Sequence, residues 1–261
     1  MKNSQILSGL MGVCVGDALG FPVQFASRRA RVNDPVTGMI GHPVLRWPAG
    51  FWSDDSSLTF CLAEALCGGF NLGAIAHNFV SWRYDGYWTP LGQAYDIGST
   101  TKKAMSRLKD GVPPTESGGT GEWSNGNGSL MRILPMAFRY KTVDFPALIR
   151  EVHLCSSITH GHLRSQMGCG IYISIAICLL EGLEPKAAYL EGIKRVKPIY
   201  ADEKYSTDLP LFDRVFNGDI ETLPMKEISS STYVIHTLEA ALWCLLTTSS
   251  FSEALLKAVN L

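Results

Sequence analysis

The chain has 261 residues, 46% of them hydrophobic, and a formal net charge of −1 from 23 basic and 24 acidic side chains. Charges that nearly cancel and form no long runs exclude a nucleic-acid groove or an acidic membrane surface as the main partner, so any ligand must be recognised by a local site. With no linker to interrupt it, a chain of this length and apolar content is expected to form one large domain over residues 1–261.

Helical periodicity runs through the chain from its start. Ile6, Leu10, Val13 and Asp17 share one face of a predicted helix, with Asp17 near its end and the breakers Gly20 and Pro22 just beyond. Lys2 and the apolar run after it imitate a signal peptide. Asp17 closes that run at once and no A-x-A site follows, so the segment reads as a core helix and the protein as cytoplasmic. Ser53-Asp54-Asp55-Ser56 stands where a loop becomes a helix continued by Leu58, Cys61, Leu62, Ala65 and Leu66. Asn71 is placed to cap a helix that buries Leu72, Ile75, Ala76, Phe79 and Val80. Asp96 precedes a further helix, which Ser99 or Thr100 is expected to cap.

The stretch from Gly111 to Ser129 carries five glycines after Gly111 and few apolar residues. Connections of this length are usually functional or disordered, and this one is expected to be mobile and to wall a cavity. Asp144 is placed to cap the next helix. Met167–Leu180 is the most apolar run, but it is too short to span a bilayer and is flanked by Arg164 and Glu181. Val234, Leu238, Ala241, Leu242 and Leu245 form one more stripe. Ser252 is expected to cap a last helix, with Phe251 stapled onto Leu256. Strand-like alternation is scarce, and the expected fold is all-α, a single compact orthogonal multi-helix domain. The seven cysteines form no C-x-x-C pair and suit reduced thiols buried in helices.

Few residues could carry chemistry. Ser53, Asp54, Asp55 and Ser56 cluster the oxygen donors that a hard divalent cation takes, although a serine N-cap followed by first-turn acids explains the same four residues. Asp17 and Asp96 each allow a capping or turn reading beside a functional one. Gly126-Asn127-Gly128-Ser129 is either a turn or a place where backbone amides approach a phosphate or ribose. Thr159-His160-Gly161-His162 has the look of a metal pair, with capping or ligand contact the stronger alternatives. No G-x-S-x-G elbow, H-E-x-x-H motif, P-loop or dinucleotide fingerprint is present.

In order along the chain, GVCVGDALGFPVQF (12–25), FWSDDSSLTFCLAEAL (51–66), YDIGSTTKKAM (95–105), GNGSLMRILP (126–135), ITHGH (158–162) and YVIHTLEAALWCLL (233–246) resemble the ADP-ribosylglycohydrolase family. This is the superfamily of the nitrogenase-reactivating glycohydrolase and the ADP-ribosylarginine and ADP-ribosylserine hydrolases. Each segment is weak alone, and six in the family's order are specific. The resemblance implies an all-helical fold around two Mg2+ (or Mn2+) ions. Ser53, Asp54 and Asp55 then stand in the metal motif Thr-Asp-Asp-Thr, with hydroxyls kept and methyls lost. Asp96, with Asp55, matches the catalytic carboxylates near metal and water. Gln24, Asn127, Gly128, Ser129 and His160 match positions that hold the ADP-ribose.

Two departures bear on the implied activity. Gln24 stands where the family often has a glutamate, and an amide cannot act as a base. The second metal motif, Asp-x-Asp-Thr, is expected directly after Val259, Asn260 and Leu261, so the chain reads as truncated before it. One ion or none is therefore expected here, with self-association through Leu255, Leu256 and Val259 if they lie uncovered. The implied function is a hydrolase that removes ADP-ribose from a modified protein or a small-molecule acceptor by metal-assisted water attack at the anomeric carbon. The alternative is a non-catalytic, crystallin-like member of the same fold. Neither nucleic acid nor membrane is expected as a partner.

Overall fold

A computed structural model describes residues 3–261. Its regular structure is eleven α-helices with short 3-10 turns between them. No sheet occurs among the described residues, only isolated bridges at His42–Trp47, Gly119–His160 and Gly126–Tyr233. The all-α expectation holds. The helices are α1 (Asn3–Gly20), α2 (Arg28–Asn33), α3 (Asp54–Cys67), α4 (Leu72–Asp85), α5 (Ser99–Lys109), α6 (Phe145–Ser157), α7 (Leu163–Leu180), α8 (Pro185–Tyr200), α9 (Asp213–Phe216), α10 (Val234–Leu246) and α11 (Phe251–Val259).

The apolar run singled out in the sequence becomes α7, the central core helix. Met167, Cys169, Ile171 and Ile173 on it are fully buried, and each large apolar side chain so placed stabilises the fold by about 1.5–3 kcal/mol. Glycine brings α8 close to it, since a β-carbon on Gly192 would sit 2.7 Å from the Ile175 side chain and 2.8 Å from its Cα. α3 and α4 pack as a pair against this core through Leu58, Leu62, Ile75 and Phe79. The N-terminus of α3, with that of α5, faces the candidate site.

Two helices are long and apolar enough to cross a membrane by length and composition. Of these, the α7 window is 67% buried inside the protein. α1 is less of a core helix than its sequence suggests. Only 22% of its apolar window is buried, and Leu7 and Met11 lie open at 62% and 48% exposure.

Several helix starts follow the sequence reading. Asn71 accepts from Ala74 N at 2.9 Å and Asp144 from Ala147 N at 3.0 Å. Others differ. The residue before α5 is Gly98, which lends no side chain, so neither Ser99 nor Thr100 caps it. The last helix starts two residues early, with Ser250 accepting from Glu253 N at 3.2 Å, so Ser252 falls inside the first turn. Phe251 is 58% exposed rather than stapled inward, and Ala241 on α10 is also exposed. Leu255, Leu256 and Val259, expected to lie open, are partly buried, with Leu255 against the Gly16 turn of α1. Leu261 is 6% exposed beside Trp243 and Ile228, and Arg28 binds the Leu261 and Ile228 carbonyls at 2.5 and 2.6 Å.

Candidate active site

An α-helix begins with backbone N–H groups that have no partner within the helix. At α3 the N-cap residue Ser53 does not satisfy them with its own side chain. The carboxylate of Asp17, from the end of α1, does so instead. Ser53 N and Ser56 N donate to its Oδ2 at 2.9 and 3.0 Å, Ser56 Oγ donates to Oδ2 at 2.5 Å, and Ser53 Oγ donates to Oδ1 at 2.7 Å. The capping reading of Asp17 is right in kind, but the helix it caps is α3 and not its neighbour in sequence.

This clamp fixes the turn from which Asp54 and Asp55 project. Asp54 is 7% exposed, and its carboxyl is held well above the ordinary range, first by burial and then by the charges of Asp55, Asp96 and Asp17. Asp55 is pushed up to about 7 by burial and by the charges of Asp17 and Asp96. Asp96, in the loop before α5, thus lies close enough to act on both. Its backbone is left-handed at φ 55°, a conformation that costs a non-glycine residue energy and clusters at functional sites. Gln24 joins the group, donating from Nε2 to Asp96 Oδ2 at 2.9 Å. The structure therefore brings together Gln24, Ser53, Asp54, Asp55 and Asp96, and adds Asp17. No ion pair among the described residues involves any of these carboxylates.

An aromatic wall stands beside this corner. Tyr95 OH donates to the Trp52 carbonyl, and its ring lies 4.6 Å from Trp47 and 5.6 Å from Phe21. The charges of Asp17, Asp54 and Asp96, acting after burial, hold the Tyr95 phenol in its neutral form.

The glycine-rich connection is tied down more firmly than its composition suggests. Ser117 Oγ donates to Ile158 O at 2.8 Å, Gly119 N to Thr159 O at 3.1 Å, and Gly161 N to Gly119 O at 2.8 Å. A β-carbon on Gly118 would strike the Ser157 carbonyl oxygen. The sequence cue of few apolar residues misleads because backbone pairing with 157–161 replaces side-chain burial. The same connection rests on the first turn of α5, where β-carbons on Gly119 and Gly128 would meet Thr100 Cγ2 at 3.5 Å and Thr101 Oγ1 at 3.3 Å. Since α5 follows Asp96, this places the connection next to the acidic corner.

Gly128 needs its missing side chain, for a β-carbon there would lie 2.7 Å from His160 Cε1. Asn127 is held through its backbone, its N–H donating to Thr232 O at 2.9 Å. Ser129 is fully buried and accepts from Ser156 Oγ at 2.9 Å, which makes it a tie between loop and α6. His160 is 3% exposed, with Nδ1 2.8 Å from Thr159 Oγ1, and burial pushes its imidazole down to about 3, so it is neutral at ordinary pH. His162 points elsewhere and caps α7, accepting from Arg164 N at 3.2 Å. The two histidines are therefore not a metal pair. Beneath the loop lies a residue that sequence reading did not single out, the fully buried Arg132. Its Nη1 donates to Gly128 O at 2.7 Å and its guanidinium stacks 4.6 Å over the Phe79 ring.

The acidic corner suits a hard cation in donor type and in surplus charge, since among the described residues the buried Arg132 feels the charge of Asp54 but no side chain forms an ion pair with these carboxylates. It is not a closed cage. Among the described residues no group of three or more His, Cys, Asp or Glu side chains is arranged to hold an ion. A groove of about 440 Å³ between α1 and α7, lined by Leu134, Phe138 and Tyr172, lies apart from these residues and contains none of them.

Comparison with known proteins identifies the family. The sequence model of the ADP-ribosylglycohydrolase family matches residues 2–261. The ADP-ribosylarginine hydrolase Tri1 of Pseudomonas putida is 30% identical over 259 residues, covering 97% of this chain and 64% of the relative. Tri1 of Serratia proteamaculans is 31% identical, covering 97% and 65%. The ADP-ribosyl-[dinitrogen reductase] glycohydrolase of Rhodospirillum rubrum is 26% identical, covering 99% and 79%. A solved structure titled ADP-ribosylglycohydrolase-related protein complex superposes with a TM-score of 0.74 at 28% identity, covering 97% of this chain and 79% of the other. The chain spans just under two thirds of the length of the Tri1 proteins it matches. With the family's segments in order, its fold reproduced and its sequence model matched nearly end to end, the chain belongs to the ADP-ribosylglycohydrolase family.

Proposed function

We propose that this chain carries the hydrolytic face of an ADP-ribosyl hydrolase, acting on ADP-ribose linked to arginine in a modified protein. One observation supports this above the rest: Asp54, Asp55 and Asp96 are gathered from two distant segments around one corner, and among the described residues none of them is in an ion pair. The names of the Tri1 relatives support the arginine linkage.

Cleavage at the anomeric ribose carbon passes through an oxocarbenium-like state, which nearby carboxylates stabilise. Asp54, Asp55 and the Ser53 hydroxyl would hold a divalent ion, Mg2+ or Mn2+, which would supply Lewis-acid chemistry at the ribose and lower the pKa of a water. Asp96, steadied by Gln24, is placed to take the proton as water attacks. The C–N bond to the guanidinium then breaks and its electron pair leaves with the nitrogen, which recovers a proton. Asn127, whose backbone groups are already paired, would offer its side-chain amide and Gly128 its N–H to the ADP-ribose, and Ser129 holds that loop from below. The neutral His160 serves as a hydrogen-bonding wall and not as an acid.

The test is release of ADP-ribose from an arginine-ADP-ribosylated protein, with Mg2+ or Mn2+ added or chelated, by this chain and by its Asp54→Asn variant. Metal-dependent release by the wild type alone is expected. Binding of ADP-ribose without release under any of these conditions overturns the hydrolase reading and marks the chain as a binding member of the fold.

A further inference from the structure

We propose that Asp17 is a positioning residue for the acidic corner, orienting the Ser53 hydroxyl and the first turn of α3 so that their oxygens face a bound cation. This rests on the reading of Asp54 and Asp55 as cation-binding carboxylates. The first reason is economy of capping. Asn71, Asp144 and Ser250 each cap their own helix with a local side chain. Ser53 occupies the equivalent place before α3 and is a good capping residue by type, yet its side chain is withdrawn from that task. A carboxylate from 36 residues earlier replaces it and accepts from both backbone and hydroxyl donors of Ser53 and Ser56. Capping alone does not require the two hydroxyl bonds.

The second reason is the direction of the hydroxyl proton. A serine has one O–H donor and two acceptor lone pairs. An ionised carboxylate only accepts, so Asp17 forces the Ser53 proton toward itself at 2.7 Å. The alternative partner, Asp55 Oδ2, is 3.4 Å away and loses the competition. The Ser53 oxygen is then left to offer lone pairs, and Asp55 keeps its own oxygens free. A cation needs both conditions, and neither follows from Ser53 alone. In Asp17→Asn one oxygen becomes an NH2 donor, so a serine hydroxyl must turn round and accept, directing its proton away from Asp17 and toward the corner.

The experiment measures two quantities on the full chain: Mn2+ affinity by titration, and amide hydrogen exchange over residues 53–57 in metal-free protein. Asp17→Asn is expected to weaken Mn2+ binding by about tenfold or more and to speed exchange over 53–57 by about tenfold, while exchange in α7 is unchanged. Ser53→Thr keeps the hydroxyl and is expected to stay within about threefold of wild type in affinity. A merely structural Asp17 lowers the melting temperature without separating Ser53→Thr from Ser53→Ala in Mn2+ affinity. That result, or a folded Asp17→Asn within about twofold of wild type in both measurements, overturns the proposal. Should Asp17→Asn not fold, Ser56→Ala removes one of the four bonds and is judged by the same measurements, with no change again overturning it. A wild type that binds no Mn2+ defeats the proposed function instead, and the exchange result alone then decides the role of Asp17.

Discussion

The glycine-rich loop and the acidic corner beside it, two walls of the candidate site, balance their polar groups in opposite ways. On the loop side, the buried hydroxyls of Ser117, Ser156 and Thr159 all have partners, and the Gly128 carbonyl is held by Arg132. The wall carries one buried positive charge, that of Arg132, and among the described residues the Arg132 Nε and the Asn125 Oδ1 have no hydrogen-bond partner. On the acidic side burial raises the pKa of all three carboxylates; the serine donors around Asp17 offset part of this, whereas Asp54 and Asp55 are raised further by neighbouring acidic charges. Charges gathered against repulsion lower the stability of the fold that holds them unless a ligand completes them. Under the proposed function the difference separates shape from chemistry: the loop wall would set the outline of a ligand, and the acidic wall stores the negative charge that would hold a cation.

Replacing a carboxylate on the acidic wall breaks this contrast most sharply. Asp55→Asn is expected to lower ADP-ribose release by about 100-fold or more, the scale of losing a general acid–base or charge-stabilising group. The same change is expected to raise the metal-free melting temperature at pH 8 by about 2–4 °C, because it removes a repelled charge. Calorimetry and an ADP-ribose release assay on one preparation check both. A loss of stability together with activity would place Asp55 among the scaffold residues.

The loop wall is expected to respond in stability first. Gly118→Ala drives a methyl onto the Ser157 carbonyl, a backbone atom that cannot swing away. A cost of about 2–4 kcal/mol is expected in a denaturant titration. Gly121 lies in the same connection with nothing within 4 Å of its would-be β-carbon, and Gly121→Ala is expected to stay within about 0.5 kcal/mol of wild type. Equal effects at the two positions would show the loop to be loosely held.

The pH dependence of the metal-free protein isolates the acidic wall again. Asp55 has a folded pKa of about 7 against an ordinary value of 3.8, so between these values the folded state binds more protons than the unfolded state. Stability then falls as pH rises through this window. His153 and His160 are pushed down, to about 4 and about 3, and contribute mainly below their ordinary value of 6.5. At pH 6.5 each is still about half charged in the unfolded state, so from pH 6.5 to 8 they add a small opposing rise in stability, and the fall belongs to the carboxylates. The melting temperature is expected to drop by about 2–4 °C over that range without metal and to level when Mn2+ is added.

The sequence carried the local features well and the distant ones poorly. The caps at Asn71 and Asp144 and the loop-to-helix corner at Ser53 are short-range patterns, and they stand where periodicity puts them. The gathering of Asp54, Asp55 and Asp96 was legible through ordered family segments, since no spacing rule joins residues 41 positions apart. The clamp by Asp17 left no local mark. Its signature is an aspartate ending one helix and a serine opening another, and either is explained by its own surroundings. The tightness of the Gly111–Ser129 connection was hidden for the same reason, because its partners at 157–161 lie about one helix further along. The start of α11 slipped by two residues because Ser249, Ser250 and Ser252 are all plausible caps by type, and it is Ser250, with an extended backbone, that accepts from Glu253 N.

The smallest expected effect lies at Gln24, the one neutral group among the acids. Its amide donates to Asp96 at 2.9 Å near the surface and quietens one oxygen of that carboxylate. Gln24→Glu deletes the donor and adds a negative charge in its place. Because the pair is exposed, water screens most of the new repulsion, and a metal-free stability loss of about 0.2–1 kcal/mol at pH 8 is expected. The added oxygen donor acts the other way once a cation is present, and Mn2+ affinity is expected to rise by about three- to tenfold. Opposite signs in the two measurements are what an unbalanced wall produces: more charge is worse alone and better with the cation. A variant that loses stability and gains no affinity would mean that Gln24 and Asp96 sit beside the cation position without reaching it, and the acidic corner would shrink to Ser53, Asp54 and Asp55.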